Sequence, residues 1–155
     1  MTIDDVIDQV REYLDRNDWK YDYEVDGDRR TIRAGVSLNC KLQSVKLGVT
    51  FKEMGYTVYA MAPMGADEAT RPTVMEYITR ANYGVRNGNF EMDLRDGEIR
   101  YKVYVPTKGL DTIPDDIIEE SFLIPPTMFN RYGNGLAALM MGFSDPKTEI
   151  EKAES

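Results

Sequence analysis

The sequence predicts an α+β domain in which helices cover one face of an antiparallel sheet, and three observations carry that expectation. The first segment places apolar residues at helical spacing. The next forty residues switch to strict alternation, with turns too short for parallel crossovers. A helix, a hairpin and further helices then follow, so strands and helices are segregated rather than interleaved. The chain has 155 residues, one domain's worth. We expect a single domain over residues 1–143 and a flexible acidic tail over 144–155.

The first helix is read from Ile3, Val6, Ile7, Val10, Tyr13 and Leu14, which form one stripe. Thr2 and Asp5 resemble a capping box at its start, and Asn17-Asp18 ends it. Trp19, Tyr21, Tyr23 and Val25 then alternate with polar residues, up to an Asp26-Gly27-Asp28 turn. Ile32, Ala34, Val36 and Leu38 alternate again, as do Val45, Leu47, Val49 and Phe51, and then Tyr56, Val58 and Ala60. These runs read as a meander of three or four strands, the acidic first one being an edge.

After a loop from Pro63 to Thr73, a helix starts near Thr70 or Thr73, with Val74, Tyr77, Ile78 and Ala81 inward and Gly84 as a left-handed C-cap. Phe90, Met92 and Leu94 form one arm of a hairpin, Asp96-Gly97 its turn, and Ile99, Tyr101, Val103 and Val105 the other arm. A helix beginning at Pro114 carries Ile117, Ile118, Phe122 and Leu123. Pro125-Pro126 is expected to break it. A second helix runs from about Thr127 to Met141, weakened by Gly133 and Gly135. The residues from Ser144 to Ser155 have little apolar content beyond Ile150 and Ala153 and read as frayed.

Composition excludes several chemistries. The chain has no histidine and one cysteine, Cys40. It can build no Ser-His-Asp or Cys-His triad, no imidazole metal site, no thiolate zinc site and no intrachain disulfide. The net charge is −8. Residues 1–28 hold ten acids and three bases, and the remainder is nearly balanced with seventeen acids and sixteen bases. Summed along the chain in this way, the charge leaves no basic face. Neither nucleic acid nor an anionic membrane is therefore an expected partner. The acidic N-terminus lacks a leader pattern, and a cytoplasmic location is expected.

Candidate sites are few. Asp22, Glu24, Asp26 and Gly27 mimic the start of a calcium loop. The ninth and twelfth places, however, hold Arg30 and Arg33, so a strand ending in a turn is the better reading. Asp111, Asp115, Asp116, Glu119 and Glu120 suit a helix N-terminus. The Gly84–Asn89 segment lacks a phosphate-binding lysine, and the glycines of Gly133-Asn134-Gly135 lack dinucleotide spacing. No catalytic, cofactor or metal residue is nominated. Two candidate binding surfaces remain: the acidic N-terminal segment, and one lined by Met61, Met64, Met128, Met140 and Met141.

The stretch from Ala81 to Asp93, with Asn82-Tyr83-Gly84 and Gly88-Asn89-Phe90-Glu91, then Asp96 to Tyr101, resembles the YbjN family of small bacterial proteins, described as putative sensory transduction regulators. The N-terminal helix and Trp19-Lys20-Tyr21 fit as well. The resemblance implies an α-β(3–4)-α-β(2)-α fold like that of type III secretion chaperones, with no known enzymatic activity. The expected function is a non-enzymatic protein-binding or regulatory module without cofactor, acting on an unidentified protein partner and able to homodimerise through an uncovered sheet face. The alternative is a small-ligand receptor or histidine-independent enzyme using Asp, Glu, Tyr or Lys.

Overall fold

The computed structural model describes residues 1–155. The order is α1 (Ile3–Arg16), β1 (Asp22–Asp26), β2 (Arg29–Ser37), β3 (Ser44–Lys52), β4 (Gly55–Met61), α2 (Arg71–Asn82), β5 (Asn89–Met92), β6 (Ile99–Pro106), α3 (Asp115–Met140) and α4 (Pro146–Glu154). The six strands form one antiparallel sheet in the order β1-β2-β3-β4-β6-β5. The expected α+β class holds, with the meander at four strands. No helix is long and apolar enough to cross a membrane.

Helix α1 forms as its sequence requires. The Thr2 hydroxyl accepts from the Asp5 amide at 3.1 Å, and the Thr2 amide donates to the Asp5 carboxylate at 2.8 Å, which closes the capping box. Val6, Ile7, Val10, Tyr13 and Leu14 are buried. In the sheet, alternation sends Val45, Leu47, Val49, Tyr56, Val58, Ile99, Tyr101 and Val103 to the helical side. Phe90 sits among Tyr101, Phe129 and Tyr132, edge-on to each at 4.9, 5.3 and 5.7 Å. Trp19 packs edge-on against Phe122 at 5.4 Å and ties the end of α1 to α3.

Two expectations fail. Pro125-Pro126 does not break the last long helix, because α3 runs unbroken through both. The pair deletes two backbone donors and crowds the preceding turn, at a local cost of about 3 kcal/mol or more per proline. Burial overrides that preference, since both prolines lie in the core face of α3 between Phe122 and Phe129. Residues 144–155 are not a frayed tail, because 146–154 form α4, packed on α2 and α3. Asp145 caps α4 by accepting from the Thr148 amide at 2.9 Å, and Pro146 occupies the first turn. Tyr132 donates to the Glu154 carboxylate at 2.9 Å, and Arg131 donates to the Ala153 carbonyl at 3.2 Å.

The two glycines that weaken α3 permit close approach. A Cβ on Gly135 would lie 2.2 Å from the Tyr77 hydroxyl, which donates to the Tyr132 carbonyl at 2.8 Å. A Cβ on Gly133 would lie 2.5 Å from Cys40 Sγ. Cys40 is thereby held half-buried against α3.

The Asn-Tyr-Gly segment closes one sheet edge. Asn82 donates to the Phe90 carbonyl at 2.9 Å and accepts from the Phe90 amide at 2.7 Å. One side-chain amide thus takes the place of a seventh strand beside β5. Gly84 and Gly88, at φ +87° and +81°, reverse the chain between them. Asn82→Ala is expected to lower unfolding free energy by about 1–3 kcal/mol, because it strands the Phe90 amide and leaves the Phe90 carbonyl only the longer bond from the Asn89 side chain at 3.2 Å. A urea midpoint equal to that of the parent protein would reject the edge-closing role.

Candidate functional site: the open face of the sheet

All four helices lie on one side of the sheet, and the residues of opposite alternation face away from them. Cross-strand register assigns that open face residue by residue. Arg33 stands opposite Gly48, Gly35 opposite Lys46, Gly48 opposite Tyr59, and Met61 opposite Arg100. The open face of the four central strands carries Arg29, Arg33, Lys46, Lys52, Arg100 and Lys102 and no acidic residue. The acids of this face stand on the outer strands: Asp22, Glu24 and Asp26 on β1, and Glu91 on β5. A basic face therefore does exist, contrary to the expectation from summed charge. Alternation sorts neighbouring residues onto opposite sides, so a chain with a net charge of −8 can still expose one cationic side.

The centre of this face is a shallow basin of about 800 Å³. Lys20, Arg29, Arg33, Lys46, Arg100, Tyr59 and Met61 line it, with Asp22 as its one acid. Two of its bases are braced. Arg33 pairs with Glu24 at 3.7 Å, and the Arg100 guanidinium lies over the Tyr59 ring at 4.3 Å while bonding Glu91. Lys102 also bonds Glu91, at 3.0 Å. Partial burial pushes the Glu91 carboxyl up, but the hydrogen bonds from Lys102 and Arg100 outweigh it and hold the group below its ordinary value. Lys20, Arg29 and Lys46 have no carboxylate within ion-pair distance.

The residues singled out from sequence lie elsewhere. Asp22–Asp26 is strand β1, and Gly27 at φ +59° makes the turn that follows. Asp115 and Asp116 occupy the first turn of α3, where Asp115 pairs with Arg16 at 2.8 Å. No group of three or more Cys, Asp or Glu side chains is placed to hold a metal ion. The acids of α1 are partly engaged within the fold, Asp5 by its cap and Asp4 by Arg30. The five methionines do not share a surface. Met61 lines the basin, Met64 and Met141 are exposed apart from it, and Met128 and Met140 pack against the core from α3.

Two of the tyrosines offered as possible chemistry, Tyr56 and Tyr101, are structural. Burial pushes the Tyr56 and Tyr101 hydroxyls up to about 12, and Tyr56 bonds Ser121 at 2.9 Å. Both rings belong to the core, on the helical side of the sheet. The basin was missed because its residues are spread over five strands and the segment before β1, and only their polar positions within each alternation marked them.

Among known proteins, residues 7–122 match the family YbjN, described as "Putative bacterial sensory transduction regulator". A comparison with curated proteins finds no match. The matched span runs from the inner face of α1 through the meander, α2 and the hairpin into the first turns of α3. It contains both the Asn82 edge closure and the whole open face. On that match over most of its length, the chain belongs to the YbjN family.

Proposed function

We propose that this protein is a non-enzymatic regulatory module, working in the cytoplasm, that docks an acidic polypeptide segment on the open face of its sheet. The carrying observation is the six bases without an acid on four adjacent strands of a chain with net charge −8. Charge complementarity selects an acidic partner and disfavours wrong ones. The shape supports a macromolecular partner, because the basin is open on one side and a small ligand would keep much of its surface in water. The family's description as a sensory regulator supports the same reading. A second copy set face to face would oppose the same six bases with six, which disfavours this face as the seam of the expected homodimer.

Photo-crosslinking from benzoylphenylalanine placed at Thr50, in bacterial cells, tests the reading. We expect discrete protein adducts whose crosslinked peptides carry net negative charge. The paired reversals Lys46→Glu and Arg100→Glu should cut adduct yield at least about tenfold. Absence of adducts, or adducts indifferent to those reversals, would overturn it.

A further inference from the structure

We infer that the occupant of the open face is a helix, amphipathic and acidic along its flanks, seated over Gly35 and Gly48. The inference rests on the docking function proposed above and adds the conformation of the partner and the residues that select it.

Gly35 and Gly48 are the first reason. They lie inside neighbouring strands, diagonal to one another on the open face, because Gly35 pairs with Lys46 and Gly48 with Arg33. Neither has a positive φ. A Cβ added at Gly35 would meet nothing within 4 Å, and one at Gly48 only the tip of Met61 at 3.6 Å. The sheet's own packing therefore does not demand glycine at either place. Glycine inside a strand weakens it, and it marks a site where a ligand or another backbone comes close. Thr31 and Thr50, paired across β2 and β3, continue this floor of short side chains.

The backbone supplies the second reason. Strands β2, β3, β4 and β6 are each paired on both sides, so the floor of the basin has no free ladder groups to offer. A polypeptide lying there must satisfy its own amides and carbonyls, and a helix does this internally. An extended segment would need a sheet edge. Along β1 it would meet Asp22, Glu24 and Asp26, and along β5 it would meet Phe90 with both backbone groups already bonded to Asn82.

Dimensions agree. Four strands span about 14 Å, and a helix with its side chains is about 10–12 Å across. Arg29 and Arg33 stand on one side of the trough, and Arg100 and Tyr59 on the other. Acidic flanks on the helix would meet the bases, while its apolar edge would rest on the glycine floor and against Met61.

Selection from a random 16-residue displayed-peptide library tests this against the full chain, the Gly35→Val variant and the Lys46→Glu/Arg100→Glu variant. We expect enriched peptides to be acidic, with apolar residues at i, i+3 or i+4 and i+7, and to be helical by NMR when bound. Gly35→Val should weaken them at least about tenfold by filling the trough, while its urea midpoint stays equal or rises. Enriched peptides that bind in an extended form, or that ignore Gly35→Val, would overturn the helical occupant and leave the docking function standing. Failure to enrich any peptide over the Lys46→Glu/Arg100→Glu variant would overturn both. Self-association in sedimentation that Gly35→Val abolishes would replace the acidic helix with a second copy of this chain.

Discussion

Phe90→Ala is expected to destabilise the protein by about 3–5 kcal/mol, the usual cost of truncating a fully enclosed phenylalanine. The residue is 2% exposed, and its ring is the shared neighbour of Tyr101, Phe129 and Tyr132. The alanine variant opens a cavity bounded by three edge-on aromatic contacts and loosens α3 from the hairpin. At this chain length each kcal/mol lowers the midpoint by about 2–4 °C, so thermal melting followed by circular dichroism should show a fall of roughly 10–15 °C. A drop of only a degree or two would mean that α3 and the sheet are held together elsewhere.

The second large effect is alkaline unfolding. Burial raises the Tyr56 and Tyr101 hydroxyls to about 12 in the folded chain, with Tyr132 adding to the rise at Tyr101. Tyr77 is pushed up as well, first by burial and then by the neighbouring Glu149, Tyr132 and Glu154. A free tyrosine ionises near 10. Below pH 10 both states hold these protons and the tyrosines leave stability unchanged with pH. Between 10 and about 12 the unfolded chain releases them while the folded chain keeps them, so stability falls as pH rises. Two units of displacement correspond to about 3 kcal/mol for each of Tyr56 and Tyr101. The sum is a large part of an ordinary domain's stability. Tyrosinate absorbance and far-ultraviolet circular dichroism recorded on one titration should show these phenols ionising only as the secondary structure is lost. Their ionisation in a chain of unchanged dichroism would contradict the burial.

Much of the fold is legible in the residues, because a single buried face writes a period into each element. The stripe from Ile3 to Leu14 and the alternations through Phe51 and Ala60 recover α1 and the meander. Two features escaped for different physical reasons. Pro125-Pro126 carries a strong local preference against helix, and only the enclosure of both rings between Phe122 and Phe129 reverses it. Helix α4 has almost no apolar stripe. Its signals were the Asp145-Pro146 start and Thr148, a cap that needs no hydrophobic pattern.

The candidate site was harder to read than the fold. Arg29, Arg33, Lys46, Arg100 and Lys102 each occupy an unremarkable polar position within an alternating run. Only strand order places β6 beside β4, and so brings Arg100 and Lys102 to the same face as Lys46. A hairpin partner can be inferred from proximity in sequence. The return of β6 across α2 cannot, and two of the six bases of the face depend on it. The glycines Gly35 and Gly48 look like ordinary strand weaknesses until their surroundings show that nothing in the protein itself occupies the space above them.

The separation of charge between the two layers has a kinetic consequence. Acids on the outer surface of α1 and on the first turns of α3 lie behind the sheet, and six bases, three of them paired with Glu24 or Glu91, lie in front of it. The molecule is therefore an electric dipole whose positive end is the open face of the sheet. In the field of the acidic partner we propose, it would rotate before touching, so encounters would begin in productive orientation and association would be fast. Added salt shortens the reach of that torque, slowing capture much more than release.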